Sequence, residues 1–567
     1  MSGPDGTAGR RAATTIAGAA VLITVVTLAS RVVGFGRWLA QAHYVGTDGV
    51  DAPLNAANLL PNVLFEIAAG GALTGAVVPL LSGFLVRGDR ANASRTASAL
   101  LGWTVVVLVP VGALMALLAD PLAEYVLRLH DPVNIAVAAD FLRVFAVQIP
   151  LYGLAVVLGG VLQAHRRFFW PAFSPLVSSV VVIGVYARFG ALADGNQQDV
   201  AALTSEALGW LAWGMTAGVA FLALPLVVPV LRTGLRLRPT LRFPAGEGRR
   251  AARLASAGVG ALVAQQLALL ATMASANEAG GDGTWTIFLY AQNVYFLPYA
   301  VLAFPIATSA FPQFSALAAE GRSDDLARLV SSTTRVLVVV SVAGAAALVA
   351  AAPLVENVFD LIMAEGSDAG GMAVALTWMA PGLLGYALIL QLSRLLYAVG
   401  AARAAVVATA SGWLVVAAGT LVPVVLTAGD DGTGSREWVL GALGAATTVG
   451  MSVAGLALLT AVRRRVGPAA LRTVPRTLLV ALLAGGFGAV LGRWSVPVAD
   501  RSVATGPNGA DGTPVTTPFS TEAIVTDIGL GLVAGLVAMG VVVVVAGVTD
   551  AAVRSRISAV GRRLLRR

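Results

Sequence analysis

The sequence contains no cysteine and no lysine. Without cysteine there is no disulfide, thiol nucleophile or thiolate metal site. Without lysine no GxxxxGK[ST] loop can exist, which excludes a P-loop nucleotide site. Charge is scarce as well: ionisable residues make up 12% of the chain, about half the share usual in soluble domains. The three histidines, His43, His130 and His165, stand far apart and give no metal-ligand cluster. No cofactor is implied.

What the chain has instead is apolar length. Hydrophobic residues are 57% of 567, with 63 glycines besides. A soluble particle with so few charges would not stay dispersed, whereas fourteen spans of about 22 residues absorb about 310 residues, close to that apolar share. The composition therefore points to an all-α polytopic membrane protein of about 14 transmembrane helices. It excludes a disordered chain, a coiled coil, a secreted disulfide scaffold and an outer-membrane barrel.

Apolar runs fall near residues 14–43, 53–86, 97–118, 134–164, 170–190, 206–231, 251–274, 285–312, 334–354, 372–398, 404–427, 438–462, 475–494 and 524–548. The first is read as a helix rather than a signal peptide, because no small-residue cleavage site precedes polar mature sequence. With the N-terminus inside, 30 arginines fall on the cytoplasmic side and five outside (Arg128, Arg188, Arg436, Arg493, Arg501), leaving Arg31, Arg37 and Arg143 within spans. The positive-inside rule thus predicts that both termini are cytoplasmic. The net charge of +8 reflects this cytoplasmic arginine and not a nucleic-acid surface. The basic C-terminal end reads as lipid-surface contact, which makes membrane lipids an expected partner.

An internal repeat is visible. Pro79, Ser82, Gly88 and Arg95 recur as Pro312, Ser315, Gly321 and Arg328, each displaced by 233. Pro150, Leu162 and Ala164 are answered near that displacement by Pro381, Leu396 and Ala398. The expectation is two parallel-repeat six-helix lobes around a central cavity plus two C-terminal helices. In residues, this is a cytoplasmic tail 1–13, an N-lobe 14–231, a basic linker 232–250, a C-lobe 251–462, a helix pair within 475–548 with a flexible external loop 495–523, and a basic tail 549–567.

Two regions carry the candidate chemistry. Arg31 and Arg37 sit inside an apolar span, where each costs about 2.5–3.5 kcal/mol on insertion scales. Six residues of helix separate them by about 9 Å and about 120°, a spacing that grips two ends of an extended anion. Gly34 and Gly36 between them are expected to loosen the helix and admit a ligand or another backbone. The competing reading is packing, with Arg37 reaching the outer interface and Arg31 paired to Glu66. The next span carries Asp51, Asn55, Asn58, Asn62 and Glu66, and the 3, 4, 4 spacing of the last four puts them on one helical face. Such a stripe lines a cavity or makes interhelical hydrogen bonds. The matching region of the second half has Gln265, Gln266, Gln292 and Asn293 and no charge.

SRVVGFGR and DAPLNAANLLPNVLFEIAAGGALTGAVVPLLSGFLVRGD closely resemble the MurJ/MviN family of lipid II flippases. These belong to the superfamily of multidrug, oligosaccharidyl-lipid and polysaccharide exporters. The likeness continues through FLRVFAVQIPLY, GVLQAHRRFFWPAFSP, LYAQNVYFLPYAVLAFPIATSAFPQFS and LSRLLYA. It implies fourteen helices and a central cavity. It also implies that Arg31 and Arg37 match essential first-helix arginines, Asp51 an acidic residue opening the second helix, and Arg143 and Arg394 arginines of the fourth and tenth helices. Departures fall at Phe65-Glu66, where the family often has two arginines, at Gly70-Gly71, at Trp38 in place of an acid, and at Asn293 in place of an arginine. They resemble an actinobacterial branch.

The resemblance implies a flippase moving lipid II or a related anionic polyprenyl-linked glycan outward, in contact with cell-wall synthesis proteins. Substrate-binding residues would be Arg31, Arg37, Asp51, Asn62, Glu66 and Asn293, with Gly34, Gly36, Arg143 and Arg394 structural or gating. Other readings are an exporter of another polyprenyl-linked saccharide or a drug, a non-transporting scaffold of cell-wall synthesis, or an intramembrane glycosyltransferase. The last lacks an acid/base pair beside a binding site.

Overall fold

The computed structural model describes residues 5–67, 74–238, 240–249, 251, 259–364, 366–427, 434–496, 521–550 and 554. Every regular element among them is helical. Eleven of these helices are long and apolar enough to cross a bilayer, or twelve when the pair Met372–Met379 and Gly382–Ala398, bent by 49°, counts as one span. Gly70-Gly71 in the second expected span, most of the expected loop 495–523, residues 1–4 of the N-terminal tail and nearly all of the C-terminal tail lie outside the described residues.

The chain forms two compact units, Met1–Leu262 and Val263–Arg567. In the first, the long helices are α1 (Asp5–Tyr44), α2 (Asp51–Phe65), α3 (Thr74–Val86), α4 (Arg90–Leu117), a short α5 (Ala119–Tyr125), α6 (Pro132–Phe145), α7 (Gln148–Ala164), α8 (Phe169–Ala193) and α9 (Ser205–Leu231). Its core joins Val77 and Leu81 of α3, Ala93 and Ala97 of α4, Val157 and Val161 of α7 and Leu226 of α9. Residues 232–249, expected as a linker, belong to this unit for a structural reason. They lie along α4, with the Arg236 and Arg238 amides donating to Ser94 Oγ at 3.2 Å and Ser98 Oγ at 3.0 Å, and the Trp103 indole donating to the Leu241 carbonyl at 3.0 Å. Leu235 is buried beneath this strap while Arg236 and Arg238 stay exposed.

The second unit holds α10 (Val259–Gly280, shared across the boundary), α11 (Thr284–Pro298), α12 (Phe304–Ala319), α13 (Ser323–Ile362), α14 (Met372–Met379), α15 (Gly382–Ala398), α16 (Ala402–Gly419), a short α17 (Leu421–Thr427), α18 (Arg436–Arg465), α19 (Val474–Trp494) and α20 (Thr521–Thr549). The bend between α14 and α15 falls at Pro381, which cannot donate into a continuous helical ladder. With 40 residues α13 is about 60 Å long and overshoots the expected 334–354 at both ends; Asp324 and Asp325 in its first turn complement the helix N-terminus and favour the extension there. A core of small residues, Ala481 and Ala484 of α19 with Ala534 and Ala538 of α20, packs against Val338, Val342 and Ala346 of α13. Close approach of small side chains is how apolar helices hold together where lipid removes the hydrophobic drive.

The repeat holds at the level of single backbone bonds. Helix α2, at 51–65, is answered by α11 at 284–298, both bounds displaced by 233. Gly88 and Gly321 both have positive φ, 73° and 68°. Asp89 N–H donates to Phe84 O, and Arg322 N–H donates to Leu317 O, again 233 apart. Asp89 caps α4 by accepting from the Asn92 amide at 3.0 Å, and that bond, with a second from the Asn92 side chain, holds its carboxyl below the usual range. Helix α7 is answered by α15 with both bounds displaced by 234. After α2 the backbone turns π-helical at 66–67, and after α11 it does so over Tyr299–Ala303.

Candidate functional site

In the first unit α1 runs unbroken past Gly34 and Gly36, so the expected loosening does not interrupt it. Gly34 faces α8, where an added Cβ would stand 4.0 Å from Ser179 Oγ, whereas the space beside Gly36 is open to 4 Å. Arg31 is exposed and Arg37 half-buried. The Arg37 guanidinium carbon lies 5.3 Å from the centroid of the Trp38 ring, a cation–π distance. Its charge also acts on the phenols of Tyr152 in α7 and Tyr186 in α8.

The polar stripe of α2 divides between two partners. Buried Asn55 accepts from Gln41 Nε2 at 2.9 Å, and Gln41 Oε1 accepts from the Tyr186 hydroxyl at 3.1 Å, which ties α1, α2 and α8. One turn beyond Asn58, Asn62 Oδ1 accepts from the Tyr152 hydroxyl at 2.9 Å while its Nδ2 donates to the Asn58 carbonyl at 2.7 Å. Phe65 packs on the same tyrosine at 4.5 Å between centroids. Half-buried Glu66 stands at the π turn, and its carboxylate acts electrostatically on Tyr152 from the same neighbourhood as Arg37. Asn62 and Tyr152 are thus hydrogen-bonded to each other, and the charges of Arg37 and Glu66 both act on that phenol, inside one helical unit. Part of the stripe is interhelical glue and part is available chemistry.

The other expected residues make contacts of their own. Asp51 is fully buried, and its Oδ1 accepts from the Gly49 amide at 2.8 Å, closing the turn into α2. Arg143, expected within a span, is 43% exposed and bridges Asp120 at 2.6 Å and Asp140 at 2.7 Å, which joins α5 to α6. In the second unit Asn293 Nδ2 donates to its own helix at Leu289 O, 2.8 Å away. Arg394 is half-buried with its guanidinium carbon 6.0 Å from the Phe304 ring centroid. No group of three or more metal-ligating side chains occurs among the described residues. The sequence reading missed Tyr152, Tyr186 and Gln41. Gln41 had a signal, since it follows Arg37 by four residues on one helix face.

The family model of the lipid II flippase MurJ matches residues 41–495. A probable lipid II flippase MurJ of Rhizobium meliloti is 27% identical over 348 residues, 59% of this chain and 61% of that protein. The lipid II flippase MurJ of Burkholderia cenocepacia is 28% identical over 390 residues, 66% of this chain and 72% of that one. The matched stretch thus spans less than two thirds of the Rhizobium relative. Among solved structures, a lipid II flippase MurJ in an inward closed conformation superposes with a TM-score of 0.68 at 15% identity, covering 91% of this chain and 98% of that one. An inward-facing multidrug transporter of the MATE family gives 0.61 at 17% identity, over 79% and 99%. Likeness at these identities shows the shared fold, and a family model matching most of the sequence shows more: this chain is a multi-pass membrane protein that belongs to the MurJ family of lipid II flippases.

Proposed function

We propose that the chain moves lipid II, the undecaprenyl-pyrophosphate-linked peptidoglycan precursor, from the inner to the outer leaflet by alternating access. The polyprenyl tail can stay in lipid, but the pyrophosphate and its sugar-peptide head need a polar path. An unpaired ion in hydrocarbon costs of order 20 kcal/mol before relaxation, so a transporter of this substrate must supply counter-charge within its spans. The observation that carries the reading is Arg37, a half-buried guanidinium inside the first unit whose charge acts, with that of Glu66, on the Tyr152 phenol that donates to Asn62. Arginine is suited to phosphate because its fork donates two parallel hydrogen bonds. Arg31, about two turns earlier on α1, would contact the outgoing head at a second point. Asp51 would act through the turn it closes, and Arg143 through the junction of α5 and α6. Both termini would be cytoplasmic, in line with the arginine partition.

The test is genetic and chemical together. In a strain whose own flippase is depleted, the wild-type chain should restore outer-leaflet lipid II, and Arg31→Ala and Arg37→Ala should each abolish it while inserting normally, because removing a costly charge eases insertion. Full outer-leaflet exposure with the double alanine variant would sink the assignment.

A further inference from the structure

The strap at 232–249 is non-helical backbone fastened to the side of a membrane-spanning helix. It meets α4 at regular intervals. The Arg236 and Arg238 amides reach Ser94 and Ser98, the Thr240 carbonyl stands 2.3 Å from where a Cβ on Gly102 would be, and the Leu241 carbonyl takes the Trp103 indole. Two residues of strap thus advance with four residues of helix. The lengths match, about 6.6 Å of extended chain against about 6 Å of helix rise, so the strap climbs parallel to α4. From Ser94 to Trp103 it rises about 14 Å.

The two sides of the strap differ. Leu235 is buried and Leu237 half-buried against the core of the first unit, whereas Arg236, Arg238 and Arg242 are exposed and carry no ion pair among the described residues. Arg90 and Arg95, in the first turns of α4, are exposed as well. Glu247, the one acid between 232 and 249, is half-buried. At the upper end the surface turns apolar: Trp103 is 46% exposed, Leu241 44%, Val106 48% and Val107 47%. Arginine, then tryptophan, then valine is the order in which a protein surface passes from lipid headgroups to hydrocarbon. Non-helical backbone beside hydrocarbon needs its polar groups satisfied by protein, and Ser94, Ser98 and Trp103 supply those bonds.

We propose that the strap is a docking surface for anionic phospholipid headgroups, with Arg236, Arg238 and Arg242 holding the phosphates and Trp103 and Leu241 lying against the upper acyl chains. The guanidinium fork matches a phosphate with two parallel hydrogen bonds, and these three forks have no carboxylate to satisfy them. A zwitterionic headgroup would bring its own cation against a surface already rich in arginine. An anionic one brings none, and each arginine at a membrane surface adds to its attraction. Under the arginine partition the leaflet concerned is the cytoplasmic one. The inference is independent of which substrate the chain carries.

Because the chain has no cysteine, Leu241→Cys admits a single fluorophore at the upper end of the strap. The labelled full-length chain is reconstituted in phosphatidylcholine vesicles containing a small share of spin-labelled phosphatidylglycerol or, in parallel, spin-labelled phosphatidylcholine. The anionic probe should quench more strongly. Adding Arg238→Gln should cut that preference about fivefold, the factor that about 1 kcal/mol per surface arginine gives, and adding Arg236→Gln and Arg242→Gln should abolish it. Glutamine at Arg463, Arg464 and Arg465 removes the same charge from the exposed end of α18 and should leave the preference at position 241 unchanged. Thermal melting confirms that each variant is folded. Equal quenching by the two probes, a preference that survives the triple replacement, or one lost equally through α18 would overturn the docking surface. Quenching by aqueous iodide and by neither lipid would overturn it too, placing the strap in water where a soluble partner would sit.

Discussion

Removing Asp550 should strip the second unit of an enclosed ion pair. This carboxylate follows α20 directly and is 9% exposed; its Oδ1 accepts from Arg335 Nη1 of α13 at 2.9 Å, and its Oδ2 accepts from the Thr477 hydroxyl of α19 at 2.6 Å. Three helices therefore meet at one side chain. In Asp550→Ala the Arg335 charge, only 18% exposed, keeps no contact with that carboxylate. Breaking a buried pair costs about 3–5 kcal/mol. Residual exposure and the Arg335 Nε bond to the Ser331 carbonyl at 3.3 Å argue for the lower end, about 3 kcal/mol. Thr477→Val removes one hydrogen bond to the carboxylate and should cost about 1 kcal/mol. The double replacement Arg335→Leu with Asp550→Leu removes both charges and should return to within about 1 kcal/mol of wild type, since the pair's attraction and its desolvation nearly cancel. Unfolding in mixed micelles by titrated denaturing detergent, followed by tryptophan fluorescence, measures all three. A stable Asp550→Ala, or a double variant weaker than the single, would refute the reasoning.

Three further outcomes are expected. Gly385→Ala would place a Cβ 2.1 Å from the Met451 carbonyl and force α15 from α18, at about 1–3 kcal/mol; Gly209→Ala, with nothing within 4 Å, should stabilise α9 by about 0.5–1 kcal/mol, and the same detergent titration reads both. Reporter fusions after residue 567 and within 495–523 should report cytoplasmic and external positions respectively, and an external C-terminus would overturn the topology. Transport should depend on membrane potential, because a unit charge crossing the full field is worth about 2.3 kcal/mol per 100 mV; undiminished flipping with the potential clamped near zero by potassium and valinomycin, an ion gradient being kept, would point to ion coupling instead.

The membrane class and the repeat were legible because they rest on properties summed over many residues, such as apolar run length and a displacement of 233 shared by several positions. The structure extends that displacement to backbone bonds at Asp89 and Arg322. The site was legible only in part. Arg37, Asn62 and Glu66 announce themselves by polarity in an apolar run, whereas Tyr152 is one ring in an apolar helix, and only tertiary packing brings its hydroxyl to Asn62. Arg143 was legible as a charge within an apolar run, whereas its bridge to Asp120 was not, because that partner lies 23 residues away, beyond any local pattern. The strap over α4 was equally hidden, since alternating Leu and Arg at 235–238 reads as a polar linker until Ser94 and Ser98 are seen to receive its amides.

The central claim is that the Arg37 guanidinium carries the pyrophosphate through the first unit. Its most direct measurement is flipping by the purified chain in proteoliposomes, with lipid II loaded on one leaflet and its appearance on the other followed by an impermeant enzyme. Wild type should transfer lipid II under an imposed potential, Arg37→Ala should not, and Arg37→Lys should recover only part of the rate because it keeps charge but loses bidentate geometry. Transfer by Arg37→Ala at the wild-type rate would contradict the account.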